Sequence, residues 1–258
     1  DHFTWDQTVN PYGRDKIEEY KLNKVKENFD GATLSWLESE GLDSEQTDGI
    51  GADETIKFLE KFSKSKENFF LAFGLYRPHI PFVAPKKYFE LYEKDDMVVP
   101  SNGDDFLKTI SAPAAKSLRA RKEQINLDDS TIKTVKEAYY ATTSFVDAQV
   151  GKVLDKLKET GLDKNTIVVF TSDHGYHLGE KGHWQKQTLY DRATRVPLII
   201  SGPGIISGLK IKDSPVELVD LYKTIMDMAN VSTPEFVQGF SLKDVLTKNI
   251  QHKRKSAL

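Results

Sequence analysis

The sequence predicts an α/β fold with a large, mostly parallel sheet flanked by helices. Three observations carry that expectation. A strongly periodic stretch, Thr131 to Thr160, runs directly into an apolar strand-like run, Ile167 to Phe170. An earlier helical stretch, Ala52 to Phe62, is likewise followed by a continuous apolar run, Asn68 to Gly74. Helices alternating with apolar strands are the pattern of crossover units on a parallel sheet. Finally, both strand runs lead into polar, histidine-bearing loops, and the C-terminal edge of such strands is where ligands bind.

The totals agree with a globular chain. At 258 residues there is ample length for a sizeable core, in one large domain or two small ones. A hydrophobic share of 38% fits neither disorder nor a membrane protein, and no apolar run approaches the roughly 18 residues of a transmembrane helix. A net charge of -3 gives no reason to expect nucleic acid or an acidic membrane surface as a partner. Asp1-His2-Phe3-Thr4-Trp5 has neither the basic start nor the apolar core of a secretory leader, and it does not read as the start of a domain. The absence of Cys removes disulfides, thiolate metal sites and Cys nucleophiles from this stretch.

Residues 1–48 are polar and irregular, with a turn signal at Asn10-Pro11-Tyr12-Gly13 and a charged helical possibility from Ile17 to Phe29. In the first clear helix, Ile56, Phe58, Leu59 and Phe62 form the apolar face, and Asp53 is a candidate N-cap. After the run ending at Gly74 comes Arg77-Pro78-His79-Ile80-Pro81, whose two prolines predict a stiff, extended backbone. Residues 86–130 are mixed surface sequence, with a helical turn at Tyr88 to Tyr92. The long helix places Val135, Ala138, Thr142, Phe145, Val153 and Leu154 on one face, with Asp129 or Ser130 capping its start and Gly161 closing its end. A second strand run, Val196 to Ile200, ends in Ser201-Gly202-Pro203-Gly204. A last helix is expected over Pro215 to Asn230, with Pro215 at its first position. The basic tail from Asn249 to Leu258 is expected to fray.

Between the Ile167 and Val196 runs lies Thr171-Ser172-Asp173-His174-Gly175 and the loop after it, which holds three of the six histidines (His174, His177, His183). Asp173 and His174 can offer an oxygen and an imidazole nitrogen to one hard divalent cation such as Ca²⁺. Equally, Asp173 can cap a turn while His174 hydrogen-bonds locally. His174-x-x-His177 with Glu180 has zinc-ligand residue types, but Gly175 and Gly179 interrupt the helix such spacing needs. Lys186 is a candidate anion contact or a solvated surface lysine. Arg77 and His79 pose the same choice. Two loops converging from two strand ends would surround one anionic group with a metal, an imidazole and an ammonium.

Several blocks, in order, resemble the sulfatase family and its iduronate-2-sulfatase-like branch. They are Phe69-Phe70-Leu71-Ala72-Phe73-Gly74-x-x-x-Pro78-His79-Ile80-Pro81-Phe82, then Phe170-Thr171-Ser172-Asp173-His174-Gly175-x-x-Leu178-Gly179-Glu180-x-Gly182-x-Trp184-x-Lys186. Arg195-Val196-Pro197-Leu198-Ile199, Val216-Glu217-Leu218-Val219-Asp220 and Gln238-Gly239-Phe240-Ser241-Leu242 follow. The resemblance spans about residues 50–245 and implies an alkaline-phosphatase-like fold, with metal at the strand ends. It implies that Asp173 and His174 are calcium ligands. Lys186 would contact the sulfate, and His79 would be the general acid for the leaving alcohol. The partner would be a sulfated sugar or another sulfate ester, and the reaction its hydrolysis.

The family also uses two further Asp ligands and a formylglycine nucleophile made from Cys or Ser in a C/S-x-P/A-S-R motif, none of which this sequence contains. Residues 1–258 are therefore expected to be an incomplete catalytic domain whose N-terminal part, with the formylglycine region, is missing. Alone, the chain is expected to bind Ca²⁺ poorly and to be inactive. Two alternatives stand: a phosphodiesterase or phosphonate hydrolase of the same superfamily, and a non-catalytic paralogue that binds sulfated glycans. The resemblance implies an exported or lysosomal setting. Asn230-Val231-Ser232 is a glycosylation sequon.

Overall fold

A computed structural model describes residues 4–26, 33–65, 67–101, 103–211, 214–252 and 254–257. The chain forms two compact units, one of Asp1–Leu162 and His174–Arg195, the other of Asp163–Asp173 and Val196–Leu258. Both mix helices and short strands, so the α/β class holds.

The first unit begins with α1 (Arg14–Ile17), which stops within two turns and is followed by β1 (Asn23–Lys24) in place of the helix expected from Ile17. Part of that expected helix, 27–29, lies outside the described residues. β2 (Ser35–Ser39) pairs antiparallel with β1 and parallel with β3 (Phe82–Pro85). Between β2 and β3 runs α2 (Thr47–Lys64), longer than its apolar pattern suggested. Its N-cap is Gln46, not Asp53, whose carboxylate instead takes the Lys152 ammonium at 2.7 Å. Short helices α3 (Lys86–Phe89), α4 (Asp104–Leu107) and α5 (Ala112–Leu118) lead to α6 (Asp129–Glu159). Asp128, one residue before the expected caps, accepts from the Thr131 N–H at 2.9 Å and starts α6. Gly161 closes it, donating to Lys158 O. Val135, Ala138, Thr142 and Phe145 are buried on one face as the 3.6-residue period requires, whereas Leu154 is 43% exposed.

That face of α6 meets β3 around Phe82, which is fully buried, with Leu34, Tyr88, Phe89 and Trp184 completing the core. Phe82 packs edge-on to Tyr139 of α6 (5.5 Å between ring centroids) and to Tyr176 (6.0 Å). Edge-to-face pairs of this kind add about 1 kcal/mol beyond the area they bury.

β4 (Val168–Thr171) and β7 (Leu198–Ser201) belong to the second unit and pair antiparallel. β5 (His177–Leu178) and β6 (Trp184–Gln185) form an antiparallel hairpin in the first unit, and α7 (Asp191–Thr194) follows it. The strands thus lie in three small sheets, and β2–β3 is the parallel pair among the described residues. The large mostly parallel sheet is not assembled within these residues. The run Asn68–Gly74 shows why: it has strand composition, yet no ladder partner among the described residues. Its alternate residues are exposed, Phe70 at 67%. Pairing needs a neighbour, which composition does not supply.

In the second unit, α8 (Val219–Met228) starts four residues after Pro215, and α9 (Lys243–Lys248) follows. In α8, Val219 and Tyr222 are 44% and 51% exposed, while Asp220 and Thr224 are buried. Asp220 accepts from the Glu217 and Phe240 N–H groups and from the Arg254 guanidinium, which also pairs with Glu217. Those hydrogen bonds and the adjacent cation pull the Asp220 carboxyl down, against the burial that pushes it up most. The expected fraying is therefore corrected at Arg254, which pins the tail. No helix among the described residues is long and apolar enough to cross a membrane.

Candidate active site

The His79 loop is a tight turn, not the extended segment its prolines suggested. The His79 N–H donates to Tyr76 O at 2.9 Å, and both X–Pro bonds are cis. Two buried acids hold the turn from below. Asp48, at the start of α2, accepts from the Tyr76 and Arg77 N–H groups at 2.8 and 2.9 Å. Burial pushes its carboxyl up, opposed by those two backbone bonds. Asp15 takes the Arg77 guanidinium at 2.7 Å and the Thr47 N–H and hydroxyl at 2.7 and 2.6 Å.

This corrects the expected role of Arg77. Its side chain is 2% exposed, and its guanidinium donates to Asp15 and, at 3.2 Å, to His79 O. A guanidinium enclosed in that way holds the loop and does not meet a solvent-borne anion. His79 itself is exposed, and its Nδ1 lies 2.7 Å from Ile80 O. A carbonyl oxygen only accepts, so Nδ1 carries the proton and the Nε2 edge is left for chemistry.

His174 repeats the arrangement. Its Nδ1 lies 2.8 Å from Gly175 O, so the neutral ring carries its lone pair on Nε2. Metal-bound imidazoles are usually held this way, the second ring N–H donated to a carbonyl. Gly175 makes the close approach possible. Its N–H donates to Ala193 O at 2.7 Å, and a Cβ there would sit 2.2 Å from Arg192 O. Two residues past His174, Tyr176 stacks on Tyr139 at 5.5 Å and meets Phe82. Phe82 is three residues past His79, so one aromatic cluster anchors both histidine loops within the first unit. Asp173, belonging to the second unit, is exposed and lies two residues beyond β4.

Lys186 follows β6 directly and is half-buried. Among the described residues its ammonium has no hydrogen-bond or ion-pair partner. Gln185 before it is buried with φ +76°, in the left-handed region that costs a non-glycine residue about 1–2 kcal/mol. Such strain persists where surrounding contacts fix it, and it gathers at functional loops.

His177 and His183 are part of the framework. His177 is fully buried with Nε2 3.0 Å from the Thr188 hydroxyl, and His183 is 4% exposed with Nδ1 donating to Leu118 O at 2.9 Å. Their rings meet edge to face at 4.9 Å. Burial, reinforced by the His183 neighbour, pushes His177 down to about 4; burial likewise lowers His183. Both are neutral at pH 7. Glu180 accepts from the Leu178 N–H at 2.6 Å. The zinc arrangement of His174, His177 and Glu180 is not formed, and no group of three or more His, Cys, Asp or Glu among the described residues is placed to hold a metal. Asp173 and His174 are of the residue types that bind a hard divalent cation, and two such residues are fewer than Ca²⁺ requires.

Asp15 and Asp48 escaped sequence reading because they are single acids in polar segments, and only the folded chain brings them to the His79 turn. The φ of Gln185 left no mark in the sequence either.

The chain resembles known proteins. The sulfatase family model matches residues 2–231. A sulfatase from Formosa agariphila is 39% identical over 197 residues, covering 74% of this chain and 38% of the relative. Mouse (Mus musculus) iduronate 2-sulfatase is 32% identical over 222 residues, covering 72% and 40%. Among solved structures, the phosphonate monoester hydrolase SpPMH from Silicibacter pomeroyi superposes with a TM-score of 0.74 at 29% identity, over 83% of this chain and 44% of that one. The chain thus spans about two fifths of the length of the curated relatives it matches.

Proposed function

The chain belongs to the sulfatase family, and from that premise we propose that the intact protein hydrolyses a sulfate ester, with a sulfated sugar as the substrate class. Asp173 and His174, adjacent in sequence, are the donors this chain gives to a divalent cation, which we take to be Ca²⁺. The metal, when bound, offsets negative charge on the sulfuryl oxygens. Lys186 binds a sulfate oxygen with its ammonium. His79, protonated at Nε2, gives that proton to the leaving alkoxide oxygen as the S–O bond breaks. It keeps its Nδ1 proton on Ile80 O throughout, so the ring neither turns nor changes tautomer. The nucleophile, a formylglycine in this reading, and the remaining metal ligands are supplied from outside these 258 residues. An exported or lysosomal setting goes with the same reading.

The observation that carries the proposal is the matched pair of imidazoles, each held through Nδ1 by the next carbonyl. A phosphonate monoester hydrolase is the second reading, favoured by the superposition on that enzyme. Turnover of an aryl sulfate and of an aryl phosphonate monoester by the intact protein separates the two. We expect the sulfate to be preferred and the Lys186→Ala variant to lose it; a preference for phosphonate would transfer the site to the second chemistry.

A further inference from the structure

Residues 103–119 carry no motif, yet they grip the loop that bears Lys186. The Arg119 guanidinium donates to Gly182 O at 2.6 Å and to the Asp104 carboxylate at 2.9 Å. Leu118 O accepts from His183, so the last turn of α5 offers two adjacent contacts to the same strand of loop. Gly103 lies so close to the Lys181 backbone that a Cβ would come within 2.3 Å of it. The Lys181 ammonium sits 3.8 Å over the Phe106 ring and 5.6 Å from that of Tyr190. The loop also has anchors of its own near Lys186, among them the Thr188 hydroxyl 3.0 Å from Nε2 of the buried His177. Thr188 N–H donates to Lys186 O at 2.7 Å, and the hairpin it leaves pairs only two residues per strand.

We propose that Arg119 is a positioning residue for Lys186, acting through the Gly182 carbonyl. The inference rests on the functional reading above for what Lys186 contacts. Arg119 is suited to the task because its planar fork can hold a carbonyl and a carboxylate at once, while a lysine ammonium at the end of a flexible stem cannot fix both directions. Its side chain is 18% exposed, so the bond to Gly182 O is largely shielded from water and is charge-assisted. Asp104, at 57% exposure, orients the guanidinium from the solvent side. A lysine sulfate contact moved by about 1 Å loses alignment with the reacting group, which costs up to ~100-fold in rate.

The test compares Arg119→Ala and Arg119→Lys in the intact protein by amide hydrogen exchange and by sulfate-ester kinetics. Arg119→Ala should speed exchange at residues 179–188 by about 10-fold or more while the α6 amides keep wild-type rates. It should lower kcat/KM by at least about 10-fold, chiefly by lowering kcat. Arg119→Lys should restore part of both, since one of the two bonds can reform. Unchanged exchange at 179–188, exchange accelerated equally in α6, or wild-type kinetics with a loosened loop would each overturn the proposal. The exchange reading needs no turnover. An intact wild-type protein without sulfate-ester hydrolysis would therefore refute the functional reading, and exchange alone would then decide the role of Arg119.

Discussion

Acid should loosen the hairpin that precedes Lys186, and His177 should be the main cause. Its ring is fully buried, its Nδ1 has no hydrogen-bond partner among the described residues, and the neutral form is favoured down to about pH 4. Glu180 opposes this shift, while His183, Lys181 and Arg192 add to it. In the unfolded chain the same imidazole titrates at ~6.5, so between about pH 6.5 and about pH 4 the unfolded state binds more protons. Stability conferred by the neutral ring is therefore complete above the unfolded value and is lost as pH falls. Linkage with those two values removes ~2 kcal/mol between about pH 7.5 and about pH 5. His183, lowered by burial, adds in the same direction. The assay is urea denaturation at several pH values, followed by tryptophan fluorescence, to which Trp184, 3% exposed in β6, contributes. His177→Gln can still bond the Thr188 hydroxyl and does not titrate, so its stability should fall less by about that amount. If wild type and His177→Gln lost equal stability across the window, the assignment to His177 would be refuted.

Three further outcomes follow from the same geometry. Asp15→Ala strands the Arg77 guanidinium in a 2%-exposed site, and stability should drop by about 3–5 kcal/mol in denaturant titrations, the usual penalty for an orphaned buried charge. A loss below about 1 kcal/mol would mean the pair is solvated. Phe82→Ala opens the core at β3, where it touches Tyr139 and Tyr176, and should cost about 3–5 kcal/mol by the same measurement. Calorimetric titration of Ca²⁺ into residues 1–258 should give no binding tighter than about 1 mM, because two donors cannot replace the six to eight oxygens the ion takes. Micromolar affinity would show that this segment holds further ligands.

The elements legible in the sequence were those set by local chemistry. The long helix was visible because its apolar period, its aspartate cap and Gly161 all agree, and α6 differs from the expectation by two residues at its start. β4 and β7 appear within two residues of the apolar runs that announced them. What failed depends on distant partners. Asn68–Gly74 has strand composition but no neighbour to pair with among the described residues. Arg77 read as an anion contact because its buried partner, Asp15, lies 62 residues away in sequence. The motif of residues 170–186 marked the loop, but the clamp from residues 103–119 that holds it has no period and no motif. Its contacts are backbone carbonyls and one guanidinium, to which sequence patterns are blind.

The central claim is that His79 delivers its Nε2 proton to a leaving alkoxide at a sulfatase site. A general acid matters in proportion to how poorly the leaving group departs unprotonated. The decisive measurement is kcat of the intact protein and its His79→Ala variant on p-nitrophenyl sulfate and on a sugar sulfate. We expect the variant to lose about 10²–10⁴-fold on the sugar sulfate and far less on the nitrophenyl ester. Equal losses on the two substrates would contradict a proton-donating role for His79 and, with it, this account of the site.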